Sequence, residues 1–244
     1  MVEKLIEKTG PAVHLESAAK TKGERTRERI MDVVYESIVE KGFAATSVEE
    51  LVEAVGITKS GFFYHFKDKN DLARQLFERF LAEDEGIVET LANRARELSD
   101  DPLQSLLIFL NLYAQMMDDM EGLHPGCMVA SVTYQERLFD KHMKRMNVEY
   151  LMRMRRRFRD WFNEILARNP PRLEVDLDAL SDQLTVIVEG AIIYSKALQD
   201  RGLMGKQTRL FRSRNQTLVR RELMSQVSSG GAKVPSFARE WRAR

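Results

Sequence analysis

Residues 46–72 read TSVEELVEAVGITKSGFFYHFKDKNDL, and the punctuation of this stretch decides the fold. Ser47 followed three residues on by Glu50 is a capping box, so a helix is expected to start at Val48. Gly56 closes it eight residues later, since glycine takes the left-handed turn that ends a helix at no steric cost. Ile57 follows as an apolar pin and Thr58 caps a second short helix. Two helices of about two turns each, joined by a tight glycine turn, make a helix-turn-helix. The second helix offers Lys59, Ser60, Gly61, Tyr64 and His65, and no acid occurs between Ala54 and Lys67. Small, donor-rich residues there suit close approach to base edges and phosphates. Asp68 caps the next helix. Lys69 in its first turn opposes the helix dipole, which implies an anion bound nearby.

Outward from this stretch the chain reads as helix throughout. Upstream, Ile30, Val33, Val34, Ser37, Ile38 and Lys41 form one stripe that Gly42 stops. Downstream, helices are expected from Asn70 to Leu98, from Pro102 through Met117, from near Gly126, from Asp140 to Arg168, from Asp176 to Ala197, and near Lys206–Leu223. Neither strands nor internal repeats are expected. The chain divides into an N-terminal arm (1–23), a helix-turn-helix domain (24–81), a C-terminal helical domain (82–222) and a basic, disordered tail (223–244). The fold class is all-α.

Composition narrows the function. The 244 residues are 43% hydrophobic and 31% charged, with a net charge of +1. That is a globular chain with no global attraction to nucleic acid or membrane. Residues 1–80 carry 13 Lys and Arg against 14 Asp and Glu, so any DNA contact must rest on a local cluster. The single cysteine excludes an intrachain disulfide and fits a reducing, cytoplasmic setting. No apolar run is long enough for a membrane span, and no signal peptide is expected. The four histidines lack metal-ligand spacing, and no nucleophile elbow, phosphate loop or dinucleotide fingerprint occurs, so neither metal, cofactor nor enzyme activity is expected. The basic run Lys141–Arg159 is interleaved with Met143, Met146, Tyr150, Met154, Phe158 and Trp161. It therefore reads as the solvated face of a core helix.

The ordered series Arg27–Gly42–Phe43, Thr46–Ser47–Val48, Ala54–Val55–Gly56–Ile57–Thr58 and Phe62–Phe63–Tyr64–His65–Phe66–Lys67–Asp68–Lys69 resembles the tetracycline-repressor (TetR) family of transcriptional regulators. The resemblance covers roughly residues 24–81. It implies a homodimer, one DNA-reading head per subunit, and a C-terminal domain for a small-molecule effector and dimerisation. Ser47, Lys59, His65 and Lys69, carried over by position, would touch DNA. Thr46, Thr58, Ser60, Gly61, Phe63 and Tyr64 complete the expected DNA-binding set. Phe63 stands where the family usually has tyrosine, so Tyr64 or an apolar contact to a thymine methyl takes over that role. Glu49 stands where many members carry a basic or polar residue. Phe62 and Phe66 are core pins.

The expectation is thus a repressor released from a palindromic double-stranded DNA operator by a small molecule. The alternative is a helical DNA-binding or interaction protein without an effector. Phe109, Tyr113, Met116, Met117, Cys127, Met128, Tyr134 and Trp161 are expected to line the effector pocket, because soft and aromatic side chains suit an irregular cavity. Cys127 stands at an expected helix start, where exposed amides lower a thiol's pKa; it reads first as a small buried packing residue and, in the alternative, as a thiol near the effector cavity that reacts with an electrophilic or oxidising ligand. Leu184, Val188, Ala191, Ile192, Leu210 and Leu218 are expected to form the dimer interface with a twofold mate.

Overall fold

The computed structural model describes residues 21–168 and 175–227, with side chains as far as residue 216. The expected arm to residue 20, the Asn169–Pro171 stop, most of the tail and the Leu218 side chain lie outside the described residues. Among the described residues there are nine α-helices and no strand. They are α1 (Lys22–Lys41), α2 (Val48–Val55), α3 (Lys59–His65), α4 (Lys69–Leu98), α5 (Pro102–Asp118), α6 (Met128–Tyr134), α7 (Lys141–Arg168), α8 (Leu177–Leu198) and α9 (Leu203–Val227). Most bounds lie within three residues of the sequence reading, and two cross its domain divisions. Helix α1 begins inside the expected arm because Thr21 and Glu24 close a capping box ahead of Lys22. Helix α9 runs on to Val227, into the expected tail.

Each cap read in the decisive stretch forms as expected. Ser47 accepts from Glu50 N, Gly56 adopts φ 72° and ψ 41°, Thr58 accepts from Gly61 N, and Asp68 accepts from Asp71 N. The four N-terminal helices enclose Ile30, Val34, Ile38, Leu51, Val55, Phe62, Phe66 and Leu72, all within 2% of full burial. Phe62 and Phe66 are the core pins that tie α3 down, each worth roughly 1.5–3 kcal/mol of burial.

The long helix α4 joins this head to the C-terminal bundle, where α5 packs against α4 and α9, and α8 lies between α7 and α9. At Gly205 the backbone of α9 runs against the Asp118 carboxylate at the end of α5, which leaves no room for a Cβ. The basic run on α7 is a solvated face made of ion pairs: Arg153 with Glu85, Arg155 with Asp182, Arg157 with Glu89 and Arg159 with Asp178.

The head also meets the bundle through the segment that leads into and out of α6. Tyr35 Oη donates to Gly126 O (3.3 Å), Val39 packs against Gly126, and the Phe43 and Phe139 rings lie 4.8 Å apart. A Cβ on Gly126, at φ 141°, would sit 3.1 Å from Val39 Cβ, so α1 and this loop are held in close register.

Candidate nucleic-acid interface

Helix α3 has one face in the core and one in solvent. With Phe62 and Phe66 inward, Lys59, Ser60, Phe63 and Tyr64 are exposed. Phe63 keeps 52% of its surface and Tyr64 84%. So large an exposed aromatic pair on a seven-residue helix is unusual unless a partner covers it. His65 stands edge-on to Tyr64 with ring centroids 5.0 Å apart. The first turn of α1 comes up beside it, since a Cβ on Gly23 would lie 4.0 Å from His65 Cε1. Exposed Lys22, a residue the sequence reading left in the arm, immediately precedes Gly23. The signal that could have placed it was the capping box at Thr21 and Glu24.

The charges on this face are partly spent within the protein. Lys59 Nζ reaches Glu49 Oε1 at 2.6 Å, and that hydrogen bond holds the Glu49 carboxyl below its usual pKa. Lys69 turns inward: Nζ donates to Phe43 O at 2.5 Å and lies 4.1 Å from the Phe43 ring centroid. Burial lowers its pKa. The anion expected beside Lys69 is therefore not needed to explain it, because the carbonyl and the ring face already offset its place at the helix start.

Thr46 does not belong with the exposed set. It is 1% exposed, and its hydroxyl bonds Gly42 O and Ser37 Oγ, fixing the loop between α1 and α2. Ser47 and Thr58 are capping residues at the edge of the face, and Gly61 is half-buried with Thr58 Oγ1 3.4 Å from where its Cβ would stand. The structure thus gathers Lys59, Ser60, Phe63, Tyr64 and His65 on one surface and takes Thr46 away from it.

The expected effector and dimer residues separate as well. Phe109, Met128 and Trp161 are at most 1% exposed, and Phe109 packs 5.4 Å from Trp161, so these are close-packed core. Met116 and Met117 are buried with them. Tyr134 is 78% exposed and lines no interior space, because α6 turns its far side to solvent. Cys127 caps α6, but its thiol is driven well above the ordinary range by burial and, next, by the Glu189 carboxylate. That is opposite to the lowering a helix start alone would give, because exposed amides stabilise a thiolate only where water or a cation also can, and it fits the packing reading of Cys127.

On α8, Leu184, Ala191 and Ile192 face the chain's own core, with Val188 half-buried beside them. The exposed apolar side of that helix is instead Val186, Ile193, Tyr194 and Leu198, next to exposed Leu210 on α9. The α8 residues expected at the dimer interface are thus core in this chain, and a different stripe of the same helix is left exposed.

A cleft of about 460 Å³ opens at the far end of the bundle, lined by Arg96, Ser99, Pro102, Ser105, Glu164 and Arg168. Trp161 Nε1 donates to Pro102 O and Ser105 Oγ, on two of the cleft's lining residues. No helix among the described residues is long and apolar enough to cross a membrane, and no group of three metal-ligating side chains occurs among them.

Residues 30–76 match the family model described as bacterial regulatory proteins, tetR family. The chain is 26% identical over 161 residues to the transcriptional regulator AcuR of Cereibacter sphaeroides, covering 66% of this chain and 72% of that one. It is 40% identical over 63 residues to the HTH-type transcriptional regulator AcrR of Shigella flexneri, which spans 25% of this chain and 29% of the relative. The fold is similar to the crystal structure of a TetR-family transcriptional regulator from Agrobacterium tumefaciens, with a TM-score of 0.66 at 19% identity. That match covers 79% of this chain and 98% of the other.

Proposed function

Because this chain belongs to the tetR family of bacterial regulatory proteins, whose members are DNA-binding transcriptional regulators, we propose that it is a ligand-responsive repressor acting as a homodimer on a pseudo-palindromic operator. The observation that carries the reading is the solvent face of α3. An aromatic pair, a lysine, a serine and a histidine project from a helix anchored by two buried phenylalanines. Such a helix fits the major groove, where Lys59 and Lys22 meet phosphates and Ser60, Phe63, Tyr64 and His65 face base edges and thymine methyls. Glu49 gives up Lys59 to a phosphate as the head docks. Thr58 and Ser47 hold the two helices at their crossing.

The twofold mate covers Val186, Ile193, Tyr194, Leu198 and Leu210, an apolar side of α8 and α9 that otherwise faces water. Ligand bound in the bundle favours a conformer whose heads no longer match the half-site spacing, by as much as its affinity for the two states differs. Footprinting on DNA upstream of the protein's own gene, followed by release with candidate metabolites, tests the reading. A protected site with twofold symmetry that ligand abolishes is the expected result. Uniform protection with no preferred site contradicts it.

A further inference from the structure

The interior of the bundle holds a group of polar side chains that DNA binding does not use. Asp84 on α4, Tyr113 on α5, Cys127 at the head of α6, Tyr150 on α7 and Glu189 on α8 converge there with Tyr35 from α1. Tyr150 Oη donates to Asp84 Oδ2, and Glu189 shares a hydrogen bond with the Cys127 thiol. The charges of Asp84 and Glu189 act on each other and on Tyr113, and Asp84 acts on Tyr35. Neither carboxylate forms an ion pair with any lysine, arginine or histidine among the described residues. Burying two acids together without a cation is costly, and burial raises the pKa of both.

Three further observations point to a ligand rather than to an idle core. Tyr113 is half-buried and its hydroxyl makes no hydrogen bond to any described residue. Asp84 is half-buried as well, and its charge reaches Tyr113. Asn147, 6% exposed and one turn before Tyr150 on the buried face of α7, leaves its Oδ1 without a partner while its Nδ2 donates to Thr133 Oγ1 (2.9 Å). The space between these side chains is rich in acceptors, with aromatic rings from Tyr113 and from Tyr35, which stacks on Phe80 at 5.9 Å.

We propose that this space is the effector site and that it takes an organic ammonium compound, its charged nitrogen between Asp84 and Glu189 and its apolar body against Tyr35 and Tyr113. A protonated amine supplies the donors that the carboxylates and Asn147 lack, and its charge is attracted by the tyrosine faces. The assignment rests on the ligand-responsive reading above and gives it a route. Tyr35 belongs to the DNA-reading head and bonds Gly126 beside Cys127, so a ligand that moves Tyr35 or the Glu189–Cys127 contact moves α1 directly.

The test uses the full-length protein and three probes of matched size: phenethylammonium, 2-phenylethanol and phenylacetate. Calorimetric titration at pH 7 is expected to show the ammonium binding at least tenfold tighter than the alcohol, with the carboxylate not binding. Glu189→Gln and Asp84→Asn are each expected to weaken the ammonium tenfold or more while leaving the alcohol unchanged. Equal affinity for ammonium and alcohol, absence of binding by all three, or unchanged ammonium affinity in both variants overturns the site. Operator binding and release are measured on the same preparations. Operator binding without any amine binding sinks the site and leaves the DNA-binding reading. Amine binding that never releases operator sustains the site and sinks ligand-responsive repression.

Discussion

The Glu49–Lys59 pair gives the DNA-binding account a quantitative handle. In a dimer docked on two half-sites, Lys59→Ala removes two phosphate contacts. Each contact contributes about 0.9 to the slope of log affinity against log salt, so the slope shallows by about 1.8. Between 50 and 200 mM salt one contact is worth about 3.5-fold and the pair about 12-fold. Glu49→Gln is expected to act in the opposite direction. Its carboxylate holds Lys59 at 2.6 Å and faces the DNA backbone when the head docks. Relieving that screened repulsion is expected to raise operator affinity a few-fold per head. Both side chains are well exposed, so neither change disturbs the fold. Fluorescence anisotropy on a selected operator duplex over that salt range reads both effects, with thermal unfolding as the control. Wild-type affinity and slope in both variants would refute the placement of α3 on the phosphate backbone.

Other outcomes follow from the same geometry. Native Cys127 is expected to react with iodoacetamide at pH 8 at least about 100-fold more slowly than in the unfolded chain, because burial and Glu189 keep the thiol protonated; equal rates would restore a reactive cysteine. His124 accepts from Gly126 N at 3.2 Å, and burial, then Lys196, push its pKa down to about 4. The folded state thus resists a proton that the unfolded chain takes up near pH 6.5. Stability is full above that pH and falls on acidification toward 4, by about 2–3 kcal/mol at pH 4.5. Urea unfolding of His124→Asn should show a smaller loss between pH 7 and 4.5, and identical losses would contradict this. Ile193→Glu, on the exposed side of α8, is expected to give a folded monomer by light scattering at micromolar concentration, whereas Leu184→Ala should mainly lower stability. A dimer that survives the glutamate places the interface elsewhere.

The helix-turn-helix was legible in the sequence because its signals are local. A cap side chain bonds an amide three residues away, and a left-handed turn selects glycine, so Ser47, Gly56, Thr58 and Asp68 could be read without knowing what they pack against. Lys69 marks the limit of that logic. Its conflict with the helix dipole is visible in sequence, but Phe43, which resolves it, lies 26 residues upstream. The intrachain burial of Leu184, Ala191 and Ile192 was hidden for a related reason. Helix α8 is apolar on two sides, and periodicity alone does not say which side meets α7 and α9 and which meets solvent. Thr46 was misjudged because the partners that bury its hydroxyl come from α1. Of the Asp84–Glu189 group only Tyr113 and Cys127 were picked out in the sequence; the two acids were not, since the members come from six separate stretches and each acid looks like an ordinary surface residue in its own helix.

The central claim is sequence-specific reading of DNA by α3, and competition binding tests it most directly. The full-length protein, bound to a duplex selected from a random library, is challenged with scrambled duplex at physiological salt. The account predicts a preference of about a thousandfold or more, with two protected half-sites one helical turn apart, and loss of that preference in Tyr64→Ala with nonspecific binding kept. Equal affinity for selected and scrambled duplexes, or a Tyr64→Ala protein with undiminished preference, would contradict it.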